Sequence, residues 1–328
     1  MLNEVFEAVK RAGAIGVGVT PIVPMGDEVF SEFGGWLANG ENAGMNYLEK
    51  YPEIRRNPEL LLPGAKSMIC AAFPYPAESK RDPDLPMISV YAMGEDYHTV
   101  LRKRLSSAAE EISGLIESEI GVRPEWRVCV DTAPLAERYW AVKSGMCERG
   151  LNGMAILPGY GSCFFLGEIL ITYPLSEINL PENGEKKGDS EVFGCGECRA
   201  CVRACPTGAL QGNGLIDCRR CLSYLTIEHR GPWTTPEAVA AMATEAGRNT
   251  LYGCDRCVRV CPHNRGTQRE SEGLQEFEAD PRMLALTAEQ AEEISDETFR
   301  ELAKGKAIKR AKAEGLRRNG ANCMKKRN

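Results

Sequence analysis

The 328-residue chain has a formal net charge of −6, with 43% hydrophobic and 26% charged residues, the balance of an ordinary soluble protein rather than of a membrane or disordered chain. No apolar run is long enough to span a bilayer. The opening MLNEVFEAVKRAGAIGVGVTP lacks the basic flank and apolar core of a signal peptide, so a cytoplasmic protein is expected.

Residues 2–12 place Leu2, Val5, Phe6 and Val9 on one helical face, and AIGVGVTPI then reads as a short strand. A helix is predicted over 27–39, ended by the turn residues of NGENAG. KSMICAAF (66–73) is a buried strand, and PYPAESKRDPDLP is a proline-rich loop. From Glu95 to Ile120 the apolar positions Val100, Leu101, Leu105, Ile112, Leu115 and Ile116 fit a long amphipathic helix. WRVCVD (126–131) reads as a strand, and Pro134 is expected near the start of another helix. MAILP and FFLGEILITYPL give two more strands, and 180–190 form a polar linker. The expected fold class is α+β, with a layered α/β domain over 1–180, a cysteine-rich domain over 190–268 and a helical segment over 269–328. TAEQ at 287–290 is a capping box.

Charge is unevenly spread. Lys304 to Asn328 holds ten Lys or Arg against one Glu, a balance of +9, which leaves −15 for the remainder. Such a tail can hold a polyanion through its phosphates; the alternative is a solvated, frayed terminus.

The chain contains 14 cysteines. In a long chain with no export signal they point to bound metal, not disulfides. Cys195, Cys198, Cys201 and Cys205 stand in C-x2-C-x2-C-x3-C-P spacing, and Cys254, Cys257 and Cys261 repeat its ending before Pro262. In two-cluster bacterial ferredoxins the last cysteine of each run ligates the other cluster. The spacing therefore predicts one [4Fe-4S] cluster on Cys195, Cys198, Cys201 and Cys261. A second falls on Cys205, Cys254, Cys257 and Cys221, with Cys218 competing for the last place. Two zinc sites are the alternative. Cys70, Cys129, Cys147, Cys163 and Cys323 are expected as small buried apolar residues.

Clusters move single electrons, so the larger remainder must house something else. No G-x-G-x-x-G follows a strand, and no P-loop is present. The histidines, His98, His229 and His263, are far apart in sequence. DYH at 96–98 begins like a corrinoid D-x-H-x-x-G motif, but position 101 is Leu, which leaves His98 as a structural or pocket residue.

The chain resembles the epoxyqueuosine reductase family over roughly residues 30–320. The resemblance is carried by GWL-NG-NAGMNYL (35–48), RRNPELLLPGAKSMI (55–69), YAMGEDYH (91–98), VDTAPLAER (130–138), GSCFFLGEIL (161–170), CRRCLSYLTIEHRG (218–231) and YGCDRCVRVCPHN (252–264). Reductive dehalogenases look similar in general plan. The resemblance favours Cys221 over Cys218. It implies a nitroreductase-like domain holding cobalamin, two [4Fe-4S] clusters fed by a low-potential donor such as a flavodoxin or ferredoxin, a monomer, and tRNA as substrate. It also implies that Asp131 is the proton donor, its carboxyl kept protonated by a dry pocket and the packed corrin; on residues alone Asp131 reads as an N-cap for the helix opening near Pro134. Glu137 and Arg138 are expected to form a local ion pair. Arg56, His98, Asp131, Asn152, Gly161 and Ser162 are the implied corrin contacts.

Three departures stand out. SGMCERGLNGMAIL (144–157) has Glu148 and Leu151 where the family has Trp and Lys. Cys163 and His263 replace aromatic residues. The sequence ends soon after KRAKAEGLRRNGAN, where many family members continue into a helical-repeat domain. These departures keep open a paralogue reducing another small molecule. A ferredoxin-like carrier is a further alternative.

Overall fold

The computed structural model describes residues 1–76, 80–175, 195–265 and 273–325; the linker read at 180–190 lies outside them. Helix α1 (Leu2–Arg11), strand β1 (Gly16–Pro21), α2 (Asp27–Ala38), α3 (Pro52–Arg56) and β2 (Ser67–Pro74) come first. They are followed by β3 (Met87–Ile88), α4 (Tyr97–Ile120), β4 (Trp126–Cys129), α5 (Glu137–Lys143), β5 (Glu148–Arg149), β6 (Ala155–Ile156) and β7 (Phe164–Ile171). Four strands form one antiparallel sheet in the order β1-β2-β7-β4.

Strand β2 is a continuous apolar run because both of its faces are covered. Ile69, Ala71 and Phe73 join a core made with α1 and α4, whereas Met68, Cys70 and Ala72 join a second core containing Trp140 of α5. Strand β7 repeats this alternation: Phe165, Ile169 and Ile171 face α4, while Phe164 and Leu170 face α5. Gly167 is where α4 comes nearest, since a Cβ there would lie 2.5 Å from Leu105 Cδ1. Helix α5 begins at Glu137 rather than near Pro134. Residues 131–136 are taken up by two tight turns, with Thr132 N–H donating to Val130 O and Leu135 N–H to Ala133 O.

The cysteine-bearing segment is built of short pieces: α6 (Ala200–Ala204), α7 (Leu222–Ile227), α8 (Pro236–Ala243), α9 (Glu245–Arg248), β8 (Thr250–Tyr252) and α10 (Arg256–Arg259). β8 pairs in parallel with β3. Trp36 Nε1 donates to Ile216 O at 2.9 Å, and Tyr224 Oη accepts Gly44 N–H at 2.8 Å. The N-terminal and cysteine-bearing parts thus share hydrogen bonds and packing.

The chain closes with α11 (Pro281–Ala285), α12 (Ala288–Glu293), α13 (Asp296–Ala303) and α14 (Lys312–Met324). Thr287 and Gln290 form the expected capping box. The basic stretch is not a solvated terminus over its described residues. Leu316 and Asn319 of α14 are fully buried, and Lys306, Arg310 and Arg317 pair with Asp280, Glu228 and Asp296. No described helix is long and apolar enough to cross a membrane.

Candidate active site

The cysteines gather into two sets. Burial raises the Cys201 thiol, with the charges of Cys195 and Cys261 adding to it; burial, then Cys195 and Cys198, does the same for Cys261. In the other set burial pushes Cys221 up to about 11, with Cys254 and Cys205 adding, and Cys257 rises under burial, then Cys254, Cys221 and Cys205. Each neighbour named here falls within one of the two groupings read from the spacing. Among the described residues no three metal-binding side chains converge on one ion position. The first set instead lines a small space, partly open to solvent and also lined by Asn152 and His263. Four thiolates around such a space are the donor set of a cubane cluster. Cys218 neighbours Cys221 but is also bordered by Asp217, Arg138 and Glu41. The other five cysteines are buried, as expected.

The second constellation lies where β4 ends. Asp131 has a left-handed φ of 52°, unusual for a residue with a side chain. Its Oδ2 accepts from Tyr97 Oη at 2.6 Å and His98 Nε2 at 3.2 Å, and its own N–H donates to the Glu137 carboxyl. Helix α4 supplies Tyr97 and His98 from its first turn because Asp96 caps it, accepting His98 N–H. Asp96 also holds His98 Nδ1 at 2.7 Å and pairs with Lys309. Burial lowers the His98 pKa, but the bonds to Asp131 and Asp96 outweigh it and bring it up to about 9. At neutral pH His98 is therefore an imidazolium between two carboxylates.

Asp131 departs from the capping expectation: it does not cap α5, whose N-cap is Ala136 with no side-chain bond. A protonated carboxyl is expected only where packed corrin closes the pocket. The Asp131 side chain is 54% exposed. Burial raises its pKa, but the bonds from His98 and Tyr97 bring the net shift below the ordinary value. Glu137 and Arg138 also differ from the expected pair: Glu137 takes the Asp131 amide, and Arg138 donates to Gly153 O at 3.2 Å.

The remaining predicted contacts lie elsewhere. Asn152 is buried and bonds Met154 N–H through Oδ1. Gly161 closes a bridge to Leu157. Ser162 donates its N–H to Asn264 Oδ1 at 2.8 Å, joining the sheet to the turn after Cys261. These three sit by the first cysteine set or its connector. Arg56 pairs with Asp27 and lies 5.6 Å from the Phe30 ring. Only His98 and Asp131 come together. Of the departures, Leu151 is buried against Cys201 and Leu210, and its N–H points at Cys195 Sγ, 3.4 Å away.

Sequence reasoning missed Tyr97, Lys309 and Glu168. Tyr97 lies beside His98 inside a quoted motif, YAMGEDYH, that drew attention only to the histidine. Lys309 was counted only as tail charge. Glu168 interrupts an apolar strand, which was its signal.

The chain is similar to known proteins. Residues 55–132 match the family domain described as epoxyqueuosine reductase QueG, DUF1730, and residues 194–264 match a 4Fe-4S double cluster binding domain. The epoxyqueuosine reductase of Gloeobacter violaceus is 37% identical over 321 residues, covering 96% of this chain and 94% of that protein. The structure of epoxyqueuosine reductase from Streptococcus thermophilus superposes with a TM-score of 0.81 at 28% identity, covering 98% of this chain and 80% of the other. A crystal structure of epoxyqueuosine reductase with an epoxyqueuosine-modified tRNA-Tyr stem loop gives a TM-score of 0.77 with the same coverage.

Proposed function

Because the chain belongs to the epoxyqueuosine reductase family, we propose that it is an oxidoreductase reducing epoxyqueuosine to queuosine in tRNA. Residues 190–268 carry two [4Fe-4S] clusters, one on Cys195, Cys198, Cys201 and Cys261 and the other on Cys205, Cys221, Cys254 and Cys257. Residues 1–180 are a layered, nitroreductase-like domain holding cobalamin, and 269–328 brace both. The protein works in the cytoplasm as a monomer, fed by a small low-potential donor such as a flavodoxin or ferredoxin.

The observation that carries this reading is the proton array of Tyr97, His98 and Asp131 in one molecule with two cysteine sets. Arg138 is the link, bordering both Asp131 and Cys218 and bonding the 150–154 loop whose Leu151 N–H meets Cys195. The open face beside Asp131 fits a corrin in chemical type. Tyr47, 43% exposed and neighboured by the Asp131 charge, offers an aromatic ring with Arg310 5.4 Å from its centroid, while Asp131 and Arg138 offer polar partners for an amide fringe. Of the predicted contacts, His98 and Asp131 would border the group there; Arg56, Asn152, Gly161 and Ser162 would act at its periphery or through the cluster connector.

Removing the epoxide oxygen takes two electrons and two protons, and gives an alkene and water. Bound and reduced, cobalamin would supply the electron pair. The chain's own residues manage the proton. His98 Nε2 holds it 3.2 Å from Asp131 Oδ2. Both described bonds to the Asp131 carboxyl fall on Oδ2; the imidazolium passes its proton to that oxygen, and Asp131 then donates it to the leaving oxygen as a general acid and returns to the carboxylate. Tyr97 holds the carboxyl in place. Protein purified without oxygen from cobalamin-fed cells is expected to contain iron and cobalt at about 8:1 and to remove one oxygen mass from epoxyqueuosine in a tRNA stem loop. Iron without cobalt after reconstitution, together with an unchanged base, overturns the proposal.

A further inference from the structure

Beneath the Asp131 loop lies a pair of acids that proton delivery does not use. Glu168 is fully buried on β7, and its partners across the sheet are Cys70 on β2 and Cys129 on β4. Neither carboxyl oxygen has a conventional donor among the described residues. The side chain within hydrogen-bonding reach is another acid, Glu137 of α5. Two ionised carboxylates are acceptors only, so a bond between them requires a proton on one. Glu137 in turn accepts the N–H of Asp131, the residue held in the left-handed region.

We propose that Glu168 is a neutral carboxylic acid donating its proton to Glu137, and that the pair is a positioning device fixing the Asp131 turn and aiming its carboxyl. An ionised Glu168 with no donor would bear the full desolvation cost of a buried charge, which the shared proton removes. The surrounding groups support the same state. Burial raises the Cys70 and Cys129 thiols, with Glu168 adding to both, so they are neutral. Burial, then the Asp131 charge, brings Glu137 up to about 8; Arg138 and His98 oppose this from its other side. Burial, then Glu137, holds Glu168 well above the carboxylate range.

The kinetic consequence rests on Asp131 delivering the proton; the shared proton itself is measured without turnover. Infrared spectra of the full chain at about pH 9.5, above the Glu137 transition and with Glu168 still protonated, are compared between wild type and Glu168→Gln. A protonated-carboxyl band that shifts in D2O is expected in wild type and in Asp131→Asn, and is lost in Glu168→Gln; its absence from wild type overturns the proposal. Raised acids keep protons that the unfolded chain releases, so wild-type stability falls as pH rises from about 4.5 through about 8. Glu168→Gln is expected to flatten that fall, and an unchanged slope also overturns the proposal. In turnover, Glu168→Gln still offers an N–H to Glu137 and is expected to lose less than about threefold, whereas Glu168→Leu loses about tenfold or more. Equal losses overturn the positioning role. Full activity in Asp131→Asn with the band present would instead sink the proton-delivery reading and leave the shared proton standing.

Discussion

His98 holds a proton because two carboxylates face it from opposite ring nitrogens, and that has a readable pH consequence. Its folded pKa, about 9, lies above the ordinary 6.5. The stabilisation it contributes is therefore complete below about pH 6.5 and is lost as pH rises through about 9. Glu137 titrates near 8 in the same window, so the histidine's share is the difference between wild type and His98→Gln in unfolding midpoint against pH. Turnover should fall on the alkaline side near pH 9 in wild type, and His98→Gln should lose that limb with its activity. An alkaline limb that survives in His98→Gln would assign the proton to another group. The sequence made His98 a candidate through a local motif but could not show its partner, because Asp131 is 33 residues away and meets it only when β4 ends over the first turn of α4. Glu168 was hidden for the opposite reason. Its place on one face of a strand follows from alternation, but whether a donor meets it there depends on how α5 packs.

Local rules served best where local forces decide. The helix over 287–293 starts at a capping box because Thr287 and Gln290 satisfy each other's N–H groups, and four residues suffice to read that. The long α4 is legible from its period, and the buried β2 from its unbroken apolar run. The start of α5 was not, because proline's preference for a first helical turn yielded to the turns around Asp131. Connections between elements are a third kind, and Asn264 is the clearest. It is buried, accepts Ser162 N–H at 2.8 Å, and donates to Val258 O at 2.7 Å and Ser162 Oγ at 3.0 Å. It also closes the turn from Cys261, with Asn264 N–H on Cys261 O at 2.9 Å. Asn264→Leu leaves these groups unpaired and should cost about 1–3 kcal/mol in denaturant unfolding. Iron should be lost first from the set that includes Cys261. A variant within about 0.5 kcal/mol of wild type and with full iron would show that the connector is redundant.

The C-terminal helices have a role that composition alone does not show. Read as charge, Lys304 to Asn328 is an arm for a polyanion; in the fold its described residues, as far as Lys325, are a brace. Arg318 donates to the main-chain oxygens of Leu225, His229 and Gly231 and lies 4.5 Å from the Trp233 ring. Asn319, with no exposed surface, donates through Nδ2 to Thr226 O and Leu251 O, both at 2.9 Å. Asn322 reaches Met242 O at 3.0 Å, and Tyr252 Oη donates to Ala307 O at 2.8 Å. Helix α14 thus ties α7, α8 and β8 together, and Cys221 and Cys254 sit at the ends of α7 and β8. Helix α12 can lie this close because Gly320 has no side chain; a Cβ there would meet Glu292 N at 2.5 Å. The brace makes a prediction that an RNA-binding arm does not. Asn319→Leu strands two buried carbonyls, should cost about 1–3 kcal/mol, and loosens the spacing of Cys221 and Cys254. Iron in protein purified without oxygen should then fall by about half, with the first cysteine set still loaded and its electron paramagnetic resonance signal retained. Full iron with weakened stem-loop binding would mean that the tail serves the substrate and not the cluster.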